Sequence, residues 1–256
     1  MSKIDNKEII ISTVKSVFGI VPFAGTALNE LFFGYRTNLK QKRLNNFVEI
    51  LAGHFTENQD VNLVNIKTED FSDLFEAVLM RVVKTKSNKK LVRFKNILIK
   101  EIKNPTEHPE LIDLYLDLIT SLSETELVIL FHHKYFDKTF DIEREQLDQL
   151  KKRLNKINEN KKGETIIIVK SKYEDDFNEV TAQIKEIEDK HKTLEKYRIS
   201  EFYGIDDQNF VFYKQRLFSK GLVLDWGIGR IGVRPFKKMS ITEFGTEFID
   251  FIIESE

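Results

Sequence analysis

The sequence predicts a mainly α chain with a small β component. Three observations carry that prediction. Apolar residues recur at spacings of three and four along most of the length. Prolines and glycines are few, four and eleven, so helices can run long between breakers. Charged residues make up 32% of the chain, above the usual quarter, as long solvated helix faces require.

With 256 residues the chain is long for one core and suits two modest domains. Residues 1–120 are expected to form a helical bundle that opens with an apolar hairpin. In that hairpin Ile10, Val14, Val17, Phe18 and Val21 share a face, Pro22 breaks the helix, and a second helix runs from Gly25–Thr26 to about His54. Asp60–Val64 reads as a loop or short extended piece. Helices follow over Lys67–Val83, capped by Thr68 or Ser72, and over Asn88–Lys103, with Leu91, Phe94, Ile97 and Leu98 inward. Asn104-Pro105 ends the latter and His108-Pro109 opens the next, whose inner face is Leu111, Leu114, Tyr115 and Leu118.

Residues 121–256 are expected to form a second domain, interrupted at about 139–200. Ser123 and Glu126 have the spacing of a capping box, which starts a helix over Glu124–Tyr135. Leu147, Leu150, Leu154 and Ile157, then Phe177, Val180, Ile184, Ile187, His191 and Leu194, repeat as a heptad seam and predict an antiparallel coiled-coil hairpin. The β-branched run Gly163–Val169 between them reads as an extended segment at its turn, an edge for self or partner association if it does not pair internally. Gln208–Ser219 reads as a helix with Phe212 and Leu217 inward and Gly221 as its terminal glycine. Leu222–Trp226 and Val233–Met239 read as two strands, and Ser240 and Glu243 as a second capping box for a helix over Ile241–Ile253. Helix, β-hairpin and closing helix, after the capped helix at Ser123, is winged-helix order.

Several function classes lose support at once. Lys+Arg and Asp+Glu number 40 and 41, so the chain is not a globally basic nucleic-acid binder. It has no cysteine, which removes disulfides, thiol nucleophiles and thiolate metal sites. No cleavable leader is expected. The longest uncharged run, Ser16–Asn29, is shorter than the ~20 residues a spanning helix needs. No phosphate-binding loop, nucleophile elbow or zinc-protease helix occurs, and Gly227-Ile-Gly-Arg-Ile-Gly232 lacks dinucleotide-loop spacing. His132 and His133 are adjacent and diverge on a helix; His191 sits in the heptad seam as a register device rather than a ligand. The expectation is a non-enzymatic chain with no cofactor and no metal.

Candidate binding residues lie in basic stretches. Lys214, Arg216, Lys220, Arg230, Arg234, Lys237 and Lys238 face one anion, Asp225, in the winged-helix stretch, and could meet phosphates or a partner. A secondary basic face is expected from Lys89, Lys90, Arg93 and Lys100, and a smaller cluster from Arg36, Lys40, Lys42 and Arg43. The bland alternative is solvated helix faces.

Val21-Pro-Phe-Ala-Gly-Thr-Ala-Leu28, with Tyr35-Arg36 and Lys42-Arg43-Leu44, resembles the opening of Abi-alpha-type bacterial abortive-infection proteins. Leu217 to Leu222 and Ile241-Thr-Glu-Phe-Gly245-Thr-Glu-Phe-Ile249 resemble their C-terminal end. The resemblance covers roughly the first fifty and last forty residues, and the middle departs from that pattern. It implies a role in resistance to phage; it supplies no mechanism and no catalytic residue. The expectation is therefore a cytoplasmic interaction protein of phage defence, bound to a protein partner or to a second copy. The alternatives are a winged-helix DNA-binding regulator and an effector that inserts its hairpin, Ile9–Phe33, into a membrane surface.

Overall fold

A computed structural model describes residues 38–57, 63–163, 167–229, 231–232 and 234–253. These residues are mainly helical, with one small antiparallel sheet. They fall into two compact units: residues up to Leu122 with Asp250 onward, and Ser123–Ile249. The expected N-terminal hairpin and its Pro22 corner lie outside the described residues.

In the first unit α1 (Asn38–Glu57) leads through a 3-10 turn (Leu63–Lys67) to α2 (Glu69–Val82), α3 (Asn88–Lys103) and α4 (Pro109–Ser121). Each start has a local cause. The Thr68 hydroxyl accepts from Phe71 N at 3.2 Å, Ser87 accepts from Lys90 N at 3.3 Å, and Pro109 takes the first position of α4, where no amide is needed. Phe47, Leu51, Phe75, Leu79, Phe94 and Leu98 are fully buried between these helices, and large rings supply much of the apolar area removed from water. The buried residues of α4 are Ile112, Tyr115, Leu116, Leu118 and Ile119, so Tyr115 and Leu118 lie inward as expected, while Leu114 is exposed. Residues 112, 115, 116 and 119 have the same helical spacing as the expected set, and periodicity alone could not choose between them.

The second unit begins with α5 (Glu124–His133), whose capping box forms as expected. Glu126 N donates to Ser123 Oγ at 3.2 Å, and Ser123 N donates to Glu126 Oε2 at 2.7 Å. Next come α6 (Lys138–Gly163) and α7 (Ile167–Glu195), which pair as an antiparallel hairpin. Ile157, Val180 and Ile184 are its buried seam, with Leu147, Leu150, Leu154, Tyr173 and Phe177 packed against them. Charged pairs flank the seam: Lys151 with Glu188 at 2.7 Å, and Glu143 with Lys190. The extended segment expected over 163–169 is not found in its described part. Gly163 ends α6 and Ile167–Val169 already belong to α7.

Two short 3-10 turns, Lys196–Arg198 and Ser200–Tyr203, return the chain to α8 (Asp207–Ser219). They gather rings around His132. Tyr197 stacks on it at 4.4 Å between centroids, and Phe202 meets it edge-on at 5.1 Å. Asp206 caps α8 through Asn209 N at 2.8 Å. Gly221 closes the helix with φ of +71°, and Leu222 N reaches back to Leu217 O at 3.1 Å, so glycine is favoured there.

β1 (Val223–Asp225) pairs with β2 (Met239–Ile241), Leu224 lying opposite Ser240. The second strand therefore begins later than the sequence suggested, and the wing between the strands is longer. Ser240 also does not cap α9 (Glu243–Ile253). It is committed to the ladder, and its hydroxyl accepts from Trp226 Nε1 at 2.6 Å and donates to Asp141 at 3.2 Å. Thr242 takes the cap instead, accepting from Gly245 N at 2.8 Å. Gly245 is required sterically, because a Cβ there would lie 2.2 Å from Leu222 O.

Candidate partner-binding face

The wing is built on Asp225. Its carboxylate oxygens accept from Gly227 N and Phe236 N, both at 2.9 Å, and so fix the start and the return of the loop. Phe236 itself sits at a φ of +61°, with its ring edge-on to Phe218 at 5.7 Å. This gives the Gly-rich loop a defined base.

The cations read from the sequence do not share a surface. Lys214 is 3% exposed. Its ammonium lies 4.4 Å from the Phe210 ring centre, and burial, with Arg198 nearby, lowers its pKa to about 8. This overturns its expected place in a phosphate-binding set. The inner face of α8 is Phe210, Lys214 and Leu217, at i, i+4 and i+7, so Phe212, expected inside, points out and is half exposed. Arg216 Nε lies 3.2 Å from the fully buried Glu126 as an ion pair. Lys220 is half buried at the end of α8, Arg230 lies outside the described residues, and Arg234, Lys237 and Lys238 are exposed on the return of the wing.

The secondary basic face also comes apart. Arg93 is buried at 7% exposure, Lys90 Nζ donates to Thr120 O at 2.7 Å, and Lys100 lies 4.5 Å over the Phe251 ring. Lys89 alone of the four is exposed. The i, i+3, i+4 spacing that would put Arg93 beside Lys89 and Lys90 also puts it beside Ile97, and burial of the apolar residues decides which way the helix turns. In the smaller cluster Arg43 Nη1 donates to Val83 O at 2.8 Å, and Arg36 lies outside the described residues.

The second unit also exposes large apolar side chains. Phe212 and Phe218 on α8, Leu224 on β1, and Ile228 and Ile231 in the wing loop are all exposed; Ile231 is fully so. The signal for Leu224 and the two isoleucines was present in the sequence as apolar residues inside a turn-rich segment. Counting charge alone passed over them.

The interior of the second unit also holds buried polar groups. His133 is 1% exposed, with Nδ1 2.8 Å from Ile129 O, and burial first, then Lys214 and Arg198, depresses its pKa to about 3. Only a ring N–H can face a carbonyl, so Nδ1 carries the proton of a neutral imidazole. Arg198 is stacked 4.0 Å over Phe136, its Nη1 is 3.1 Å from Glu195, and burial lowers its pKa. His191 fills a seam position, stacked on Phe140 at 4.0 Å with Nε2 3.1 Å from Glu143. These groups organise the interior. Among the described residues no group of histidine and acidic side chains is placed to hold a metal ion, and no helix is long and apolar enough to cross a membrane. No protein-family model, curated protein or solved structure matches the chain.

Proposed function

We propose that this chain is a non-enzymatic interaction protein, cytoplasmic and part of a bacterial phage defence, that acts through protein contacts made by its wing and α8. The observation that supports contact with protein is the character of the side chains that these elements expose. Phe212, Leu224, Ile228 and Ile231 stand in solvent, while Lys214 is buried and Arg216 is held by Glu126. Phosphate recognition draws its affinity from solvent-facing cations, whereas protein interfaces draw theirs from apolar and aromatic side chains that lose water. The phage-defence context rests on the resemblance of the two ends to the abortive-infection family.

The test is a double substitution at the wing tip, Ile228→Asp with Ile231→Asp. In a host that the intact gene protects, the variant should lose protection while its folding is unchanged, and proximity cross-linking in infected cells should lose the same protein target. Full protection by the folded variant defeats the proposal. DNA binding is the second reading, favoured by the exposure of Arg234, Lys237 and Lys238. A gel shift at about 50 mM salt, where backbone contacts are strongest, decides it: a duplex complex lost on substituting these three by alanine would replace the protein-contact reading.

A further inference from the structure

The first unit carries a cleft that the wing plays no part in. It opens between the 3-10 turn, the outer face of α2, the loop after α3 and the first turns of α4, and encloses about 460 Å³. That volume is in the range of small-molecule sites. Its apolar lining is Phe71, Leu74, Ala77 and Ile112 with two prolines. Its polar lining is dominated by carboxylates: Asp70, Asp73, Glu101, Glu110 and Asp113, with no Lys, Arg or His among the described residues that line it. Among the described residues only Asp113 of these has an ion-pair partner, Arg81 at 2.8 Å.

Glu101 is unlike the others. Its side chain is more than nine-tenths buried, yet it belongs to the cleft wall. Oε2 accepts from Thr106 N at 2.8 Å, which ties the carboxylate to the loop after α3. Asn65 Nδ2 donates to Ile102 O at 2.8 Å and Thr68 Oγ1 to Asn65 O at 2.9 Å, so the opposite wall is fixed as well. The site is therefore formed in advance. Burial raises the pKa of Glu101, opposed by the hydrogen bond from Thr106 N and by the charge of Lys100.

The lining selects among ligands by charge. An anion meets a concave field of one sign, which low-dielectric walls focus. A neutral apolar molecule covers the hydrocarbon but strips water from the carboxylates without compensation. A cation on an apolar stem meets both demands. We propose that this cleft binds a small organic cation, a primary ammonium or guanidinium on a hydrocarbon stem. The stem lies on Phe71, Leu74, Ala77 and Ile112, and the head pairs with Glu101 in the field of Asp70 and Asp73.

Three probes with one apolar body test this on the full chain by calorimetric titration: 4-phenylbutylamine, 4-phenylbutanol and 4-phenylbutyrate. The amine should bind at least about ten-fold more tightly than the alcohol, the factor one charge-assisted hydrogen bond supplies, and the butyrate more weakly than either. Glu101→Gln should remove most of the amine's advantage over the alcohol, leaving the share supplied by Asp70 and Asp73. Asp70→Asn with Asp73→Asn, both on the exposed surface of α2, should weaken the amine several-fold and leave the alcohol unchanged, which keeps the test open should Glu101→Gln not fold. Ala77→Phe should remove binding of all three. Equal affinity of amine and alcohol, or no saturable binding of the amine up to about 10 mM, overturns the assignment. None of these outcomes depends on the wing.

Discussion

His133 makes the stability of the second unit depend on pH in a way that can be worked out in advance. The imidazole is neutral in the folded protein because charging it would place a cation in a dry site beside Lys214 and Arg198. Its folded pKa is about 3, against 6.5 for a free imidazole. Between these values the unfolded chain binds a proton that the folded chain does not, so stability falls as pH falls. At pH 5 the unfolded form is almost fully protonated there, and the loss relative to pH 7 is about 2 kcal/mol. The assay uses the single tryptophan, Trp226, which lies in the wing base of the same unit and donates to Ser240. Urea unfolding followed by its fluorescence should give midpoints that fall from pH 7 to pH 5. Carboxylates held low, such as Glu143, add a loss of the same sign at lower pH. His133→Asn removes the titration but keeps an N–H donor for Ile129 O, so the difference between the two proteins isolates the histidine. If native protein and variant lose stability equally between pH 7 and pH 5, the buried neutral imidazole is wrong.

Other substitutions should follow the local physics. Gly245→Ala drives a methyl group into Leu222 O and should destabilise the second unit by more than about 2 kcal/mol, read as a drop in the urea midpoint of Trp226 fluorescence. Lys214→Met keeps the volume and removes a buried charge. It should stabilise by about 1–2 kcal/mol at pH 7, and the gain should shrink above pH 8 as the native lysine loses its proton in the fold. Ser123→Ala opens the capping box and should cost about 1 kcal/mol, measured by the same denaturation.

Helices and seam were legible because their causes are local or periodic. Ser123 with Glu126, Pro109 and Gly221 each satisfy or release a backbone group within a few residues, and the hairpin declares itself through its leucines. The misreadings have one source, competition settled in three dimensions. Ser240 could cap a helix or pair in a strand, and the register with Leu224 took it for the strand. Lys214 and Arg93 carry charges, and charge was read as exposure. Each sits at helical spacing from apolar neighbours, Lys214 from Phe210 and Leu217 and Arg93 from Ile97, whose burial is worth more than the solvation of one long flexible side chain. The cleft of the first unit draws on residues from Asn65 to Asp113, and no motif could have announced it.

The hairpin of α6 and α7 separates α5 from α8, which nonetheless pack together. A flexible loop of about sixty residues in that place would cost roughly 3–4 kcal/mol of closure entropy. Two helices zipped along a seam, each contact made between neighbours already brought near, deliver the chain back to within reach of Phe140 and Glu143 through His191 and Lys190. The arm thereby acts as a staple: it shortens the effective chain of the domain it interrupts, and its length is free to vary in matched heptads while its root is not.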